Sequence, residues 1–288
     1  SSRTSQSKTS RAQTPAPPAA EPDPAARLDL GFFQRLTTPE NEKAFIEGCK
    51  QLINNEPEKA LGHFNASQGL ADAAFMGGII AFKLERFTEA AERLNEALSM
   101  QNQLGRLLNK YGLVAGANIA ITDEITAFAG ADRRGALLAL TEVYQHMDRP
   151  DYALQCIYRL RKLEPDDLLI ALSLVELYFD TGKTNKNQLK AIVNLTQDNE
   201  NESAIHAALL MYRGKAMMML GLPDAAREVL TKALRRKKDR PAELLLALRY
   251  ERALVYAELG KKRQSKKDLE RIYAEDPGYE DVAERLGV

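Results

Sequence analysis

The sequence predicts an all-α fold of stacked antiparallel helix hairpins, and three observations carry that prediction. From Thr38 onward apolar residues recur at helical spacing, broken roughly every dozen residues by short polar or glycine-bearing turns. Val, Ile and Thr build no sustained two-residue alternation, so strands are not expected. The turns also resemble one another, and self-similarity at a regular period marks a repeat architecture.

Composition sets the outer limits. The 288 residues allow one or two domains at roughly 100–200 residues each. Lys plus Arg is 40 and Asp plus Glu is 40, so the formal net charge is zero, which argues against a surface built uniformly for nucleic acid or anionic membrane. Apolar residues make up 44%, enough to bury a core. Two Cys without a spacing pattern exclude a disulfide framework and a Cys-rich zinc site. The longest apolar run, Ala73 to Phe82, contains Gly77 and Gly78 and is far short of a membrane span. The chain starts without Met and without a charged-then-apolar leader, so it reads as a fragment or processed product. A soluble protein of a reducing compartment, the cytoplasm, is expected.

Residues 1–27 are different material: Ser, Thr, Ala and Pro dominate, and no large apolar residue occurs. Such a segment cannot bury enough apolar surface to offset its ordering entropy, and Pro15, Pro17, Pro18, Pro22 and Pro24 favour extended conformations. It is expected to be a disordered linker, with a folded domain over 28–288. Leu28, Leu30, Phe32, Phe33 and Leu36 follow at once and should pack as an N-terminal cap on the first helices. Thr38-Pro39-Glu40 reads as an N-cap, a proline at the first helical position and an acid on the positive dipole end.

The repeat shows in five turns: NNEPEKA (54–60), LERFTEA (84–90), MDRPDYA (147–153), LGLPDAA (220–226) and LGKKRQS (259–265). Each ends on a small residue inside the next helix: Ala60, Ala90, Ala153, Ala226 or Ser265. Four residues further stands a large one: Phe64, Leu94, Ile157, Leu230 or Leu269. Twelve residues upstream a second small residue occurs in four units, at Gly48, Gly78, Gly214 and Ala253. Helices joined by a short turn must approach closely, so each needs a small residue at the crossing. A single hairpin leaves an apolar face bare, and stacking further hairpins buries it.

This pattern resembles the tetratricopeptide repeat (TPR) family, and the resemblance covers nearly everything from residue 39 to the end. It implies a right-handed α-solenoid of about seven hairpins. Five are clear, and two are degenerate, at Leu107–Ala131 and Leu168–Thr196. The segment Tyr279–Leu286 would cap the last face. In this family the first helix of each pair lines a concave groove, which implies Phe45, Cys49, Phe75, Ile79, Phe82, Glu142, Glu176, Phe179, Met211, Lys215, Met218 and Tyr250 as candidates for partner contact, against the plainer reading that many simply pack on neighbouring helices. Family members that grip a C-terminal carboxylate do so with a Lys, Asn and Arg set absent from the matching positions here.

Nothing in the chain supports catalysis. His63, His146 and His206 lie far apart, with no ligand at a recognisable spacing, so no metal site and no cofactor are expected. Cys156 reads as a core residue, and Cys49 has no basic neighbour to activate it. There is no Walker loop, GxGxxG or GxSxG, and no small-molecule substrate is implied. The function expected is a non-enzymatic scaffold that binds a peptide or helix of another protein.

The zero net charge hides an asymmetry. Residues 28–204 carry 18 basic and 25 acidic side chains, whereas residues 205–275 carry 17 basic and 9 acidic. The basic part includes Arg235, Arg236, Lys237 and Lys238, and then Lys261, Lys262 and Arg263. Cations suit a helix C-terminus and solvated loops, which accounts for these runs without a ligand. The alternatives are an acidic partner, nucleic acid, or head-to-tail self-association. Nucleic acid is disfavoured because neither run contains an interleaved aromatic. A further alternative is a regulatory module of a larger protein.

Overall fold

The computed structural model describes residues 28–123, 125–180 and 184–288. The segment expected to be a linker, Glu124, and residues 181–183 of the lengthened turn in the second degenerate unit lie outside them. Among the described residues six helix pairs run through the chain. They are α2 (Glu40–Ile53) with α3 (Pro57–Ala66), α4 (Ala71–Lys83) with α5 (Phe87–Ser99), and α7 (Arg133–His146) with α8 (Pro150–Leu163). The others are α9 (Leu168–Asp180) with α10 (Lys186–Leu195), α11 (Ala204–Met219) with α12 (Pro223–Leu234), and α13 (Ala242–Glu258) with α14 (Lys262–Glu275). A short α1 (Phe32–Thr37) precedes them and α15 (Val282–Leu286) follows.

The crossings obey the sequence rule. A Cβ on Gly48 would stand 2.9 Å from the Phe64 ring, on Gly78 2.6 Å from Leu94 Cγ, and on Gly214 2.7 Å from Leu230 Cγ. Each glycine therefore receives the large residue sixteen positions later from the second helix of its own pair. The α7–α8 pair substitutes Thr141, which is buried and donates its hydroxyl to Leu137 O at 2.8 Å. Pro57, Pro150 and Pro223 open α3, α8 and α12, where a missing N–H costs nothing. The second degenerate unit is a true helix pair, α9 and α10, although α10 packs mainly on α11 rather than α9.

Three local expectations fail. Thr38 does not cap α2: its hydroxyl donates to Gln34 O at 2.7 Å, closing α1, and Pro39 is the residue that precedes α2. Leu28 is fully buried in the core but Leu36 is 70% exposed, so the N-terminal cap is held by Leu28 and by Lys50, whose Nζ donates to Asp29 at 2.7 Å. Phe32 and Phe33 have side chains outside the description. The third unit is not a helix pair at all. After the one-turn helix α6 (Arg106–Lys110), the chain forms an antiparallel hairpin of β1 (Gly116–Thr122) and β2 (Ile125–Gly130). Gly116 pairs with Gly130 and Thr122 with Ile125, and the register shifts between Ala120 and Thr122.

The hairpin was hidden for a physical reason. Ala117, Ile119 and Ala129 point inward while Asn118, Ala120, Thr126 and the aromatic Phe128 are exposed, so alanine stands on both faces and the outer one is not uniformly polar. The register shift then breaks the two-residue period at Ile121. Gly116 is required, since a Cβ there would lie 2.2 Å from Ala129 O.

The C-terminus closes as expected. Val282 of α15 is fully buried against Leu246, Leu269 and Ile272. Tyr250 donates its hydroxyl to Asp281 at 2.7 Å, and Arg285 donates to the same carboxylate at 2.6 Å.

Candidate docking face

Among the first helices α4 touches α7, and α9 touches α11, which touches α13; strand β1 packs against both α7 and α9 and joins the two runs. The structure divides the expected groove residues into two groups. Phe45, Phe75, Ile79 and Met211 are buried in the core and present no surface. Phe45, for example, packs on Phe64 with ring centroids 5.7 Å apart. Cys49 is buried as well, and burial, helped by the nearby Asp72 charge, pushes its thiol up to about 12; it holds no thiolate at neutral pH. Phe82, Glu142, Glu176, Phe179, Lys215, Met218 and Tyr250 are half-buried.

Among the half-buried group, two clusters form. Phe82 and Phe87 both contact His146, with Phe87 stacked at 4.9 Å, and Glu142 lies 3.3 Å from His146 Nε2. Burial raises the Glu142 pKa, against the opposing pull of His146. Further along, Phe179 and Tyr212 pack at 5.4 Å, and Lys215 Nζ sits 5.2 Å above the Phe179 ring. Lys215 also pairs with Glu251 at 3.3 Å, whose pKa burial raises in spite of that cation. Met219, which the sequence reading did not select, is 57% exposed beside Met218.

The hairpin lies on this face. Strand β1 packs against α4, α7 and α9, and β2 against α7. Three residues share one repeat position, eighteen before Ala60, Ala90 and Ala153: Glu42 and Asp72, which hold residues 105–111 ahead of the hairpin, and Gly135, which meets the hairpin itself. The Glu42 carboxylate accepts from Lys110 Nζ and from the Tyr111 hydroxyl at 2.5 Å. Burial pushes the Glu42 pKa up, but those two hydrogen bonds and the Lys110 charge overrule it and hold the group below its ordinary range. The Asp72 carboxylate is buried and accepts three backbone amides, from Gly105 at 2.5 Å, Leu107 at 2.7 Å and Leu108 at 2.9 Å. At Gly135 the backbones meet directly, since a Cβ there would lie 2.0 Å from Gly130 O. Sequence reasoning missed all three; the available signal was an acid, Asp72, inside the otherwise apolar ADAAFMGGII.

The basic residues are not brought together. Arg235, Arg236, Lys237 and Lys238 are exposed beyond the end of α12, while Lys262 and Arg263 are exposed and Lys261 half-buried at the start of α14. Helix α13, 17 residues and roughly 25 Å long, separates the two runs. Among the described residues no group of three or more His, Cys, Asp or Glu is placed to hold a metal ion, and no helix is long and apolar enough to cross a membrane.

The recurring glycine-to-large-residue crossings in a series of helix pairs decide the architecture. The fold is TPR-like. No protein-family model matches the chain, and no curated protein matches it. Among solved structures, the N-terminal domain of the EccA1 ATPase from the ESX-1 secretion system of Mycobacterium tuberculosis superposes with a TM-score of 0.61 at 15% identity, over 86% of this chain and 88% of that one. The apo form of RapI superposes with a TM-score of 0.53 at 11% identity, over 82% of this chain and 64% of that one. A thermophilic TPR protein of Thermus thermophilus gives 0.47 at 18% identity, over 75% of this chain and 97% of that one. At such identities the first two likenesses concern the fold alone.

Proposed function

We propose that the chain is a non-enzymatic scaffold of the cytoplasm that holds another protein by docking a peptide or helix of it on the face of the first helices. The observation that carries this reading is the state of that face. The chain's own hairpin covers α7 and reaches α4 and α9, whereas beyond it α9 and α11 keep Phe179, Lys215 and Met218 half-buried and Met219 exposed. An adaptable Met-bearing strip beside aromatic rings suits an apolar segment of varied shape. The Lys215–Glu251 pair supplies one charge of each sign at its centre. No cofactor or small-molecule substrate enters this reading. The basic residues support no nucleic-acid track, because they stand at opposite ends of α13.

The test is affinity capture with the full chain, repeated with Phe179→Glu combined with Met218→Glu. Both side chains are half-buried, so the double variant should stay helical by circular dichroism while losing its bound partner. Phe75→Glu is unsuitable because Phe75 is fully buried and the change would unfold the second pair. A folded double variant that retains every partner would sink the proposal.

A further inference from the structure

Strand β1 reads Gly-Ala-Asn-Ile-Ala-Ile-Thr, an uncharged extended segment. It begins beside α2 and α4, where Leu113 to Gly116 line an apolar hollow of about 350 Å³ with Cys49, Met76 and Phe128. It then crosses α7 and reaches α9, where Ile119, Ala120 and Ile121 meet Leu138, Thr141 and Ser173. The strand thus runs along the series of first helices, in the path a docked segment would follow. Beneath it Thr141 and Ser173 donate their hydroxyls to Leu137 O and Leu169 O of their own helices, and the polar residues beside them, Glu142 and Gln145, are engaged by His146 and Asp180. Inward positions of β1 alternate between small and aliphatic, with Ala117 and Ile119 buried and Asn118 and Ala120 exposed.

We propose that the face of α4, α7 and α9 is a docking site for an uncharged extended segment with alternating small and aliphatic residues, and that β1 is its built-in occupant. A partner segment of that chemistry binds there by exchange with the hairpin. Two features favour exchange over permanent burial. A two-stranded hairpin is marginal alone and depends on the surface beneath it. Its closest backbone approach is also at its base, where Gly135 meets Gly130 and Ala129, and the carboxylate bonds of Asp72 and Glu42 hold residues 105–111 just ahead of it rather than the strands themselves. The inference rests on the first-helix face being the docking face.

The probe is a labelled synthetic peptide of residues 114–123, with an Ile119→Asp peptide as control. In the wild-type chain, saturating peptide should speed hydrogen exchange of the chain's own β1 and β2 amides at least threefold and leave α13 and α14 unchanged. In Gly135→Ala the added Cβ collides with the Gly130 backbone, so the hairpin should unseat. The peptide should then bind at least tenfold more tightly than to wild type, and the control peptide should not. A full chain with residues 116–130 replaced by a short Gly/Ser linker should behave like Gly135→Ala. Unchanged hairpin exchange in wild type at saturating peptide, or no gain in peptide affinity in a folded variant, overturns the proposal. Its failure is separable from that of the scaffold reading, which is decided by partner capture at Phe179 and Met218.

Discussion

Asn55, Glu85 and Asp148 sit in the left-handed backbone region, with φ of 60°, 58° and 54°, at the same turn position where Gly221 and Gly260 stand at 76° and 68°. All five turns belong to the motif visible in the sequence, yet only two use glycine. A side chain in that region costs about 1–2 kcal/mol, part of which glycine returns as backbone entropy. Glu85→Gly and Asp148→Gly should therefore each raise stability by about 0.5–1 kcal/mol, and Gly221→Ala should lower it by about 1 kcal/mol, in urea titrations. The crossings carry a second expectation. Gly78→Ala forces a Cβ onto Leu94 and should cost about 1–3 kcal/mol, and combining it with Leu94→Ala should cost less than the sum of the single changes. These positions were legible because glycine and its large partner recur at a fixed interval. The buried state of Phe45, Phe75, Ile79 and Met211 was not, because an apolar residue on a first helix reads the same whether it faces a groove or the next helix.

At the scale of the element, the hairpin is what changes the account of the face. It and α6 are held by partners distant in sequence: Asp72 meets amides of residues 105–108, Glu42 meets Lys110 and Tyr111, and β1 packs on α9. Local pattern carries no trace of such pairing. Asp72→Ala leaves three amides, one buried and two partly buried, without their acceptor and should cost about 1–3 kcal/mol, with faster hydrogen exchange over 105–130 and none in α13 and α14. Glu42 gives a pH dependence of known sign. Its folded pKa is depressed, so its contribution is present above the ordinary glutamate range and is lost as pH falls through the folded value. Acid titration should loosen the α6–hairpin segment, and Glu42→Gln should remove that part of the pH response.

Across the whole molecule, zero net charge conceals an acidic N-terminal two-thirds and a basic remainder. The fold keeps the two exposed basic runs at opposite ends of α13, so labelled single-stranded RNA should not bind at about 150 mM salt, a condition under which a contiguous phosphate track would still hold it. The stack of helix pairs and its cap were readable from the repeat, while the division of its face into a covered part and an open part required the structure. Partner capture by the full chain probes that division. Phe179→Glu with Met218→Glu should abolish capture while preserving helical content. Capture undiminished in that folded double variant would contradict the account.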